Sequence, residues 1–174
     1  MAKLRKFVAY RKLERPYTRL SKYKKKSFIK TTRNTKIVRF ITGNPRKKFP
    51  HVLHLVSKQD LQIRDNAIES GRVSGNRALE STLGVSSYFM QVRPYPHHIL
   101  RVNPLAAGAG ADRFSTGMQK SFGKPEGNAA RIKEGQKIVS VSVDKQNIPT
   151  AKKALDRFRK KLPGSYLVEF EEKK

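Results

Sequence analysis

RPYPHHILRVNPLAAGAGADRFSTGMQKSFGKPEGNAAR, residues 93–131, sets two basic, strand-like stretches on either side of a span rich in glycine and alanine. Residues 98–102 alternate well enough for a strand, and 129–132 reads as a short strand on the far side. Between them, 104–127 shows no helical or strand period. A connection of that length without secondary structure is uncommon inside a compact domain and is usually functional or disordered. Its roots sit on strands, so the flanking chain is expected to supply a sheet.

Upstream, 36–42 (KIVRFIT) and 51–56 (HVLHLV) read as strands split by Gly43-Asn44-Pro45, and 88–93 as another that ends at Pro94-Tyr95-Pro96. Residues 61–83 read as a helix, with Ile63, Ala67, Ile68, Gly71, Ala78 and Leu79 at helical spacing and Arg64, Arg72 and Arg77 mainly elsewhere. Gly71 and Gly75 each lower helix propensity by ~1 kcal/mol, which close packing against the sheet is expected to offset. Downstream, Val139, Val141 and Val143 mark one face of a strand over 137–143. A second helix starts near Pro149, where proline suits the first turn, and buries Ala151, Ala154, Leu155, Phe158 and Leu162. Pro163-Gly164 stops it, and Tyr166, Val168 and Phe170 form a last strand. Two helices and about six strands without a βαβ alternation argue for an α+β fold, with helices on one face of a mixed or antiparallel sheet. The expected organisation is a basic N-terminal arm over 1–35 and a single domain over 36–174 with a projecting loop at 104–127.

Charge narrows the partner. The chain has 174 residues with 39 Lys+Arg against 13 Asp+Glu, a formal charge of +26, which repels itself unless a polyanion neutralises it. The first fifty residues hold 18 of those cations and one acid, Glu14. In the arm, Lys3, Arg5, Lys6, Arg11, Arg15, Arg19, Lys24, Lys25 and Lys26 are interleaved with Phe7, Tyr10, Tyr17, Tyr23 and Phe28. A charge run is usually a solvated tail; the aromatics and the lack of acids favour an RNA-contacting arm. A targeting presequence would need an apolar core or an Arg- and Ser-rich composition. No run approaches the roughly 18 apolar residues of a membrane span, so no membrane partner is expected. The absence of cysteine removes disulfides and thiolate metal sites, and fits the cytosol.

At the loop roots, Arg93, Arg101, Lys124 and Arg131 would be held by strands toward one polyanionic surface, where such cations fix register on phosphates. His97 and His98 join them, since a strand-end histidine more often bonds phosphate, base or backbone than metal. Tyr95 and Phe114 can stack on bases, worth ~1–3 kcal/mol per base, or pack in a core. For catalysis, Asp112 and Glu126 each sit beside a cation, Arg113 or Lys124, which lowers a carboxyl pKa instead of poising it near neutrality. No catalytic set is expected, and no small-molecule substrate. His51 and His54, like His97 and His98, fall on opposite faces of a strand and cannot chelate one metal without distortion, so no metal site is expected. GAGAD (108–112) has no GK[ST] and no following helix to receive phosphate, so no nucleotide cofactor is expected either.

The same segment resembles the large-subunit ribosomal proteins called L-sixteen in bacteria and L-ten-e in archaea and eukaryotes. The resemblance rests on RPYPHHILRVN (93–103), AGADR (109–113), TGM (116–118) and FGKPEGNAAR (122–131), with RPYTR (15–19), GQKI (135–138) and KLPG (161–164) as secondary matches. It runs from about residue 15 to the end, and RPYTR and GADR favour the archaeal and eukaryotic branch. Before about residue 33 the chain departs from it, with a Lys-rich opening where relatives are shorter and Arg-Pro-rich. The resemblance implies a non-enzymatic, ribosome-bound protein of the cytoplasm that binds large-subunit rRNA among other large-subunit proteins. It also implies that the long loop extends toward the peptidyl-transferase centre and helps shape the aminoacyl-tRNA site. Ala106, Gly108, Gly110, Asp112, Arg113, Thr116, Gly117, Met118 and Lys120 would then lie near the tRNA acceptor arm. Charge alone would equally suit a non-ribosomal RNA-binding protein, and an RNA-modifying enzyme would need the cofactor loop or acid/base set that the sequence lacks.

Overall fold

The computed structural model describes residues 34–103 and 117–172, together with residues 11, 23–26 and 110. Among them are the strands β1 (Ile41–Gly43), β2 (His51–Ser57), β3 (Leu61–Arg64), β4 (Tyr88–Val92), β5 (His98–Val102), β6 (Lys124–Ile132), β7 (Lys137–Val143) and β8 (Tyr166–Glu172), and the helices α1 (Asp65–Leu83) and α2 (Ile148–Arg159). Eight strands divide between two sheets, ordered β1-β4-β7-β2-β8 and β3-β6-β5, with every pairing antiparallel. The α+β expectation holds.

Alternation builds the larger sheet. Leu53 and Leu55 of β2 lie in register with Val141 and Val139 of β7, which in turn face Met90 and Val92 of β4. All six are buried in one cluster with Ile68, Ala78 and Leu79 of α1 and Ala151, Ala154, Leu155 and Phe158 of α2. Both helices therefore cover the same face. The smaller sheet adds Leu61, Ile63, Ala130 and Ile132 to that cluster, so its apolar side closes the core too.

Four sequence readings need correction. First, only the end of 36–42 is a strand: the Lys36 N–H donates to Asp65 Oδ2 at 3.1 Å and the Val38 N–H to Glu69 Oε2 at 3.3 Å, so helix acids take the amides that a ladder would use. Second, 61–64 is the strand β3, and the helix begins at Asp65. Third, the return from the loop is ordered earlier than expected, because β6 starts at Lys124 and pairs with Val102 at once. Fourth, the α1 glycines answer to a helix and not to the sheet. A Cβ on Gly71 would stand 2.9 Å from the Phe158 ring, and one on Gly75 3.4 Å from it. The approach of α2 thus offsets the propensity cost of both.

Candidate nucleic-acid interface

The loop leaves from β5 and returns to β6, so the face those strands share decides what the loop roots present. Residues opposite one another on neighbouring strands lie on one side of a sheet. Ala129 of β6 faces both His98 of β5 and Arg64 of β3, and Arg131 faces Gln62. Hence Gln62, Arg64, His98 and Arg131 share a face, with Leu100 and Ala129 as a small buried apolar patch among them. Ile63 and Ala130, one residue along, point into the core. Arg131 is exposed and Arg64 half-buried. The Arg64 Nη2 lies 3.4 Å from the position of a Cβ on Gly127, which puts its guanidinium over the FGKPEGNAAR segment.

His98 Nδ1 lies 2.8 Å from Gln62 Oε1, the geometry of an Nδ1–H donating to the amide oxygen. Burial, then the charges of Arg131 and Arg101, push its pKa down to about 4. His98 is therefore neutral at neutral pH: it orients groups on this face but brings no charge to a phosphate. His97, its neighbour, is exposed and leans on the Tyr95 ring at 4.4 Å, while Tyr95 stacks on Phe40 at 5.4 Å. Tyr95 is thus packed on one side and 48% exposed.

The described end of the loop is fastened at its root. Arg101 Nη1 donates to the Phe122 carbonyl, and the Phe122 N–H bonds Gln119 O at 3.0 Å. Gly123 stands at φ +115, and a Cβ there would come within 2.8 Å of Met118 Cε and 3.2 Å of Val102 O, so only glycine fits the return. Gly110, Gly117, Met118, Lys120 and Lys124 are exposed. In the arm, Arg11, Lys24 and Lys25 are exposed, and Lys24–Lys26 form a 3-10 turn. Lys3, Arg5, Lys6, Arg15 and Arg19, and in the loop Ala106, Gly108, Asp112, Arg113, Thr116 and Phe114, lie outside the described residues.

Arg93 sits apart from this face, at the end of β4, where its Nε donates to Ser140 Oγ at 2.9 Å. The bond opens a polar line across the larger sheet, on the side away from the helices. Ser140 Oγ lies 2.8 Å from His54 Nδ1, His54 Nε2 lies 2.9 Å from Glu171 Oε2, and Lys137 Nζ donates to the same carboxylate oxygen at 3.0 Å. Burial lowers the His54 pKa, while Lys137 and then His54 lower that of Glu171. Serine, histidine and glutamate in line resemble a nucleophilic relay, and sequence spacing gave no hint of it. Here Ser140 is only 3% exposed in mid-strand, and a guanidinium N–H occupies its oxygen. Such a serine is a structural link, not a nucleophile. Among the described residues no three histidine or acidic side chains converge as a metal would need.

The sequence reading missed Arg64, which it placed on a helix; strand alternation in Leu61–Arg64 was the available signal.

The family model described as ribosomal protein L16p/L10e matches residues 16–169. The chain belongs to that family. Proteins named large ribosomal subunit protein uL16 are similar to it along most of its length. The one from Nanoarchaeum equitans is 46% identical over 182 aligned residues, covering 100% of this chain and 96% of its own. That of Methanococcus aeolicus is 44% identical, covering 92% and 90%, and that of Archaeoglobus fulgidus is 46% identical, covering 88% and 85%. All three sources are archaeal, on the branch to which RPYTR and GADR point. The Nanoarchaeum alignment takes in the Lys-rich opening as well.

Proposed function

We propose that the chain is a structural, non-catalytic protein of the cytoplasmic large ribosomal subunit, held on rRNA by the arm and the basic face of the smaller sheet, beside other subunit proteins. Its loop, 104–123 up to the start of β6, reaches the tRNA acceptor arm and helps shape the aminoacyl-tRNA site. The observation that carries this reading is the segregation on β3-β6-β5. One side of that sheet is apolar and enters the core, and the other presents Arg64 and Arg131 around a neutral histidine at the root of the loop. Phosphate is the group such a face suits: guanidinium groups fixed on a rigid sheet position a polyanion without reading its bases. Arg93, Lys124, His97, the arm cations and the loop residues Arg113 and Lys120 extend the same surface. Family membership supports the ribosomal assignment.

Salt dependence of binding to a large-subunit rRNA fragment tests the electrostatic part. Log K should fall steeply with log salt, by ~0.7–0.9 for each phosphate neutralised. Removing residues 1–26 should lower both affinity and slope while the cooperative unfolding of the domain stays intact. A flat salt dependence would reject the reading.

A further inference from the structure

Sheet edges are normally blunted, because a row of unpaired N–H and C=O groups invites another strand. Three of the four edges here follow that rule: β1 has three residues, β3 has four, and β5 is interrupted by a register shift between Leu100 and Arg101. The fourth relies on charge alone. β8 runs for seven residues in unbroken register with β2, contains no proline, glycine or lysine, and has no strand on its outer side among the described residues. It also exposes Leu167, Val168 and Phe170, at 48%, 40% and 51%.

Its charge is as unusual. YLVEFEE carries three of the chain's 13 acidic residues and no cation, in a protein of formal charge +26. By register with Leu55 and Leu53, Val168 and Phe170 lie on the helix-covered side of the sheet, and Phe170 stacks on His51 at 5.5 Å. Leu167, Glu169 and Glu171 point to the other side. A polyanion gains nothing from such an edge. A second copy of the chain gains little, since two β8 strands would set carboxylates against each other, and like charges opposed across a ladder destabilise it.

We infer that β8 takes up an extended basic segment of another protein as a sixth strand of the larger sheet. That segment alternates: apolar side chains cover Val168 and Phe170, and lysine or arginine on the other side meets Glu169. Backbone hydrogen bonds supply affinity, and the alternation supplies selectivity. The inference does not rest on the rRNA assignment, because the edge and its charge lie on a different sheet from the basic face.

The test uses the full chain, isotopically labelled, and a short capped peptide of alternating lysine and valine. Long-range repulsion between two cations works against this pair, so localised binding is diagnostic. Amide exchange along β8 should slow by about ten-fold or more on adding the peptide, and Glu169→Lys, an exposed change, should weaken binding by about ten-fold. The same peptide N-methylated at alternate residues cannot complete the ladder and should not bind. Equal binding of the N-methylated peptide, or no protection along β8, overturns the proposal. In assembled large subunits, a photo-crosslinking residue in place of Leu167 should yield a product with a polypeptide; a product with rRNA overturns the proposal as well. Loss of rRNA affinity on altering the basic face would leave the peptide result unchanged.

Discussion

The two sheets of this molecule are built from the same antiparallel ladders and differ in what their outer sides carry. In the larger one the helix side is core across β4, β7 and β2, and the far side carries a polar line from Arg93 through Ser140 and His54 to Glu171. In the smaller one only the inner side joins the core, while the outer side keeps Arg131 exposed and His98 neutral between cations. In the first sheet the charges answer one another. In the second, Arg131 faces Gln62 across the ladder, and burial followed by the charges of Arg131 and Arg101 keeps the histidine neutral. A chain of this charge can thus fold because its cations stand where the core does not need them.

The largest effect should come from breaking the core that both sheets share. Phe158 fills the space left by Gly71 and Gly75 where the helices touch, and it is fully buried. Phe158→Ala should cost ~3–5 kcal/mol in urea unfolding. Gly71→Leu should also destabilise, because its Cβ alone would press on the ring. Neither change should alter rRNA affinity per folded molecule. A matching loss of intrinsic affinity would show that stability and binding are not separated as the sheets suggest.

Next come the two arginines near the loop root, which differ in what they hold. Arg131 is exposed, so Arg131→Glu should shift stability within about 0.5 kcal/mol, while reversing a charge at a phosphate surface should weaken rRNA binding by about ten-fold or more. Arg101 also holds the Phe122 carbonyl at the return of the loop. Arg101→Glu should therefore lower the stability of the root more than Arg131→Glu does, seen as faster amide exchange at Phe122 and Gly123. Identical exchange in the two variants would remove Arg101's role as a fastener.

That difference between two arginines was hidden in the sequence, which marked both only as cations at strand ends. What was legible is what depends on a local period: β2, β4, β5 and β7 alternate over five to seven residues and stand where alternation put them. β3 left only a short signal, because Leu61–Arg64 completes two alternations before Asp65 and Ile63 also fits the helical period that follows. The early start of β6 was hidden for another reason. Pro125 and Gly127 are poor strand formers, and it is pairing with Leu100 and Arg101 that makes a strand of them. Residues 36–40 erred in the opposite direction, for their β-branched pattern was overruled by Asp65 and Glu69, some thirty residues away. Of the candidate site, the charge could be counted in advance. The neutrality of His98 could not, as it depends first on burial in the folded sheet and then on Arg131 and Arg101 arriving from two strands.

A smaller effect tests that neutrality. With His98 held at about 4 against an ordinary 6.5, the unfolded chain takes up a proton that the folded chain refuses. The stability it contributes is complete above pH 6.5, declines as pH falls, and is gone near pH 4. Because the ring is partly solvated, the expected loss is on the order of 1–2 kcal/mol. His54 is shifted in the same direction, so the contribution is isolated by the difference between the wild type and His98→Gln over that window. In Arg131→Glu the His98 pKa, followed by NMR, should rise, since a cation has been exchanged for an anion. A fall or no change would mean that burial alone sets it.

The smallest effect on stability, and the sharpest test of the division of labour, concerns the loop itself. Apart from Gly110, residues 104–116 lie outside the described part of the chain, and their composition, NPLAAGAGADRFS in 103–115, offers little apolar surface to a core. The fastening of the return lies beyond them, at Arg101, Met118, Phe122 and Gly123. Replacing 106–115 by a short Gly/Ser linker should therefore keep the root intact. Because closure cost grows only slowly with loop length, thermal unfolding should move by no more than the equivalent of about 0.5 kcal/mol. Subunits carrying the replacement should still assemble at least in part, since the arm and the basic face are untouched, but should bind or accommodate aminoacyl-tRNA poorly. Normal tRNA binding by fully occupied subunits would remove the loop from the tRNA site. A collapsed melting temperature would place it in the core, and would erase the contrast between a sheet side that stabilises and one that binds.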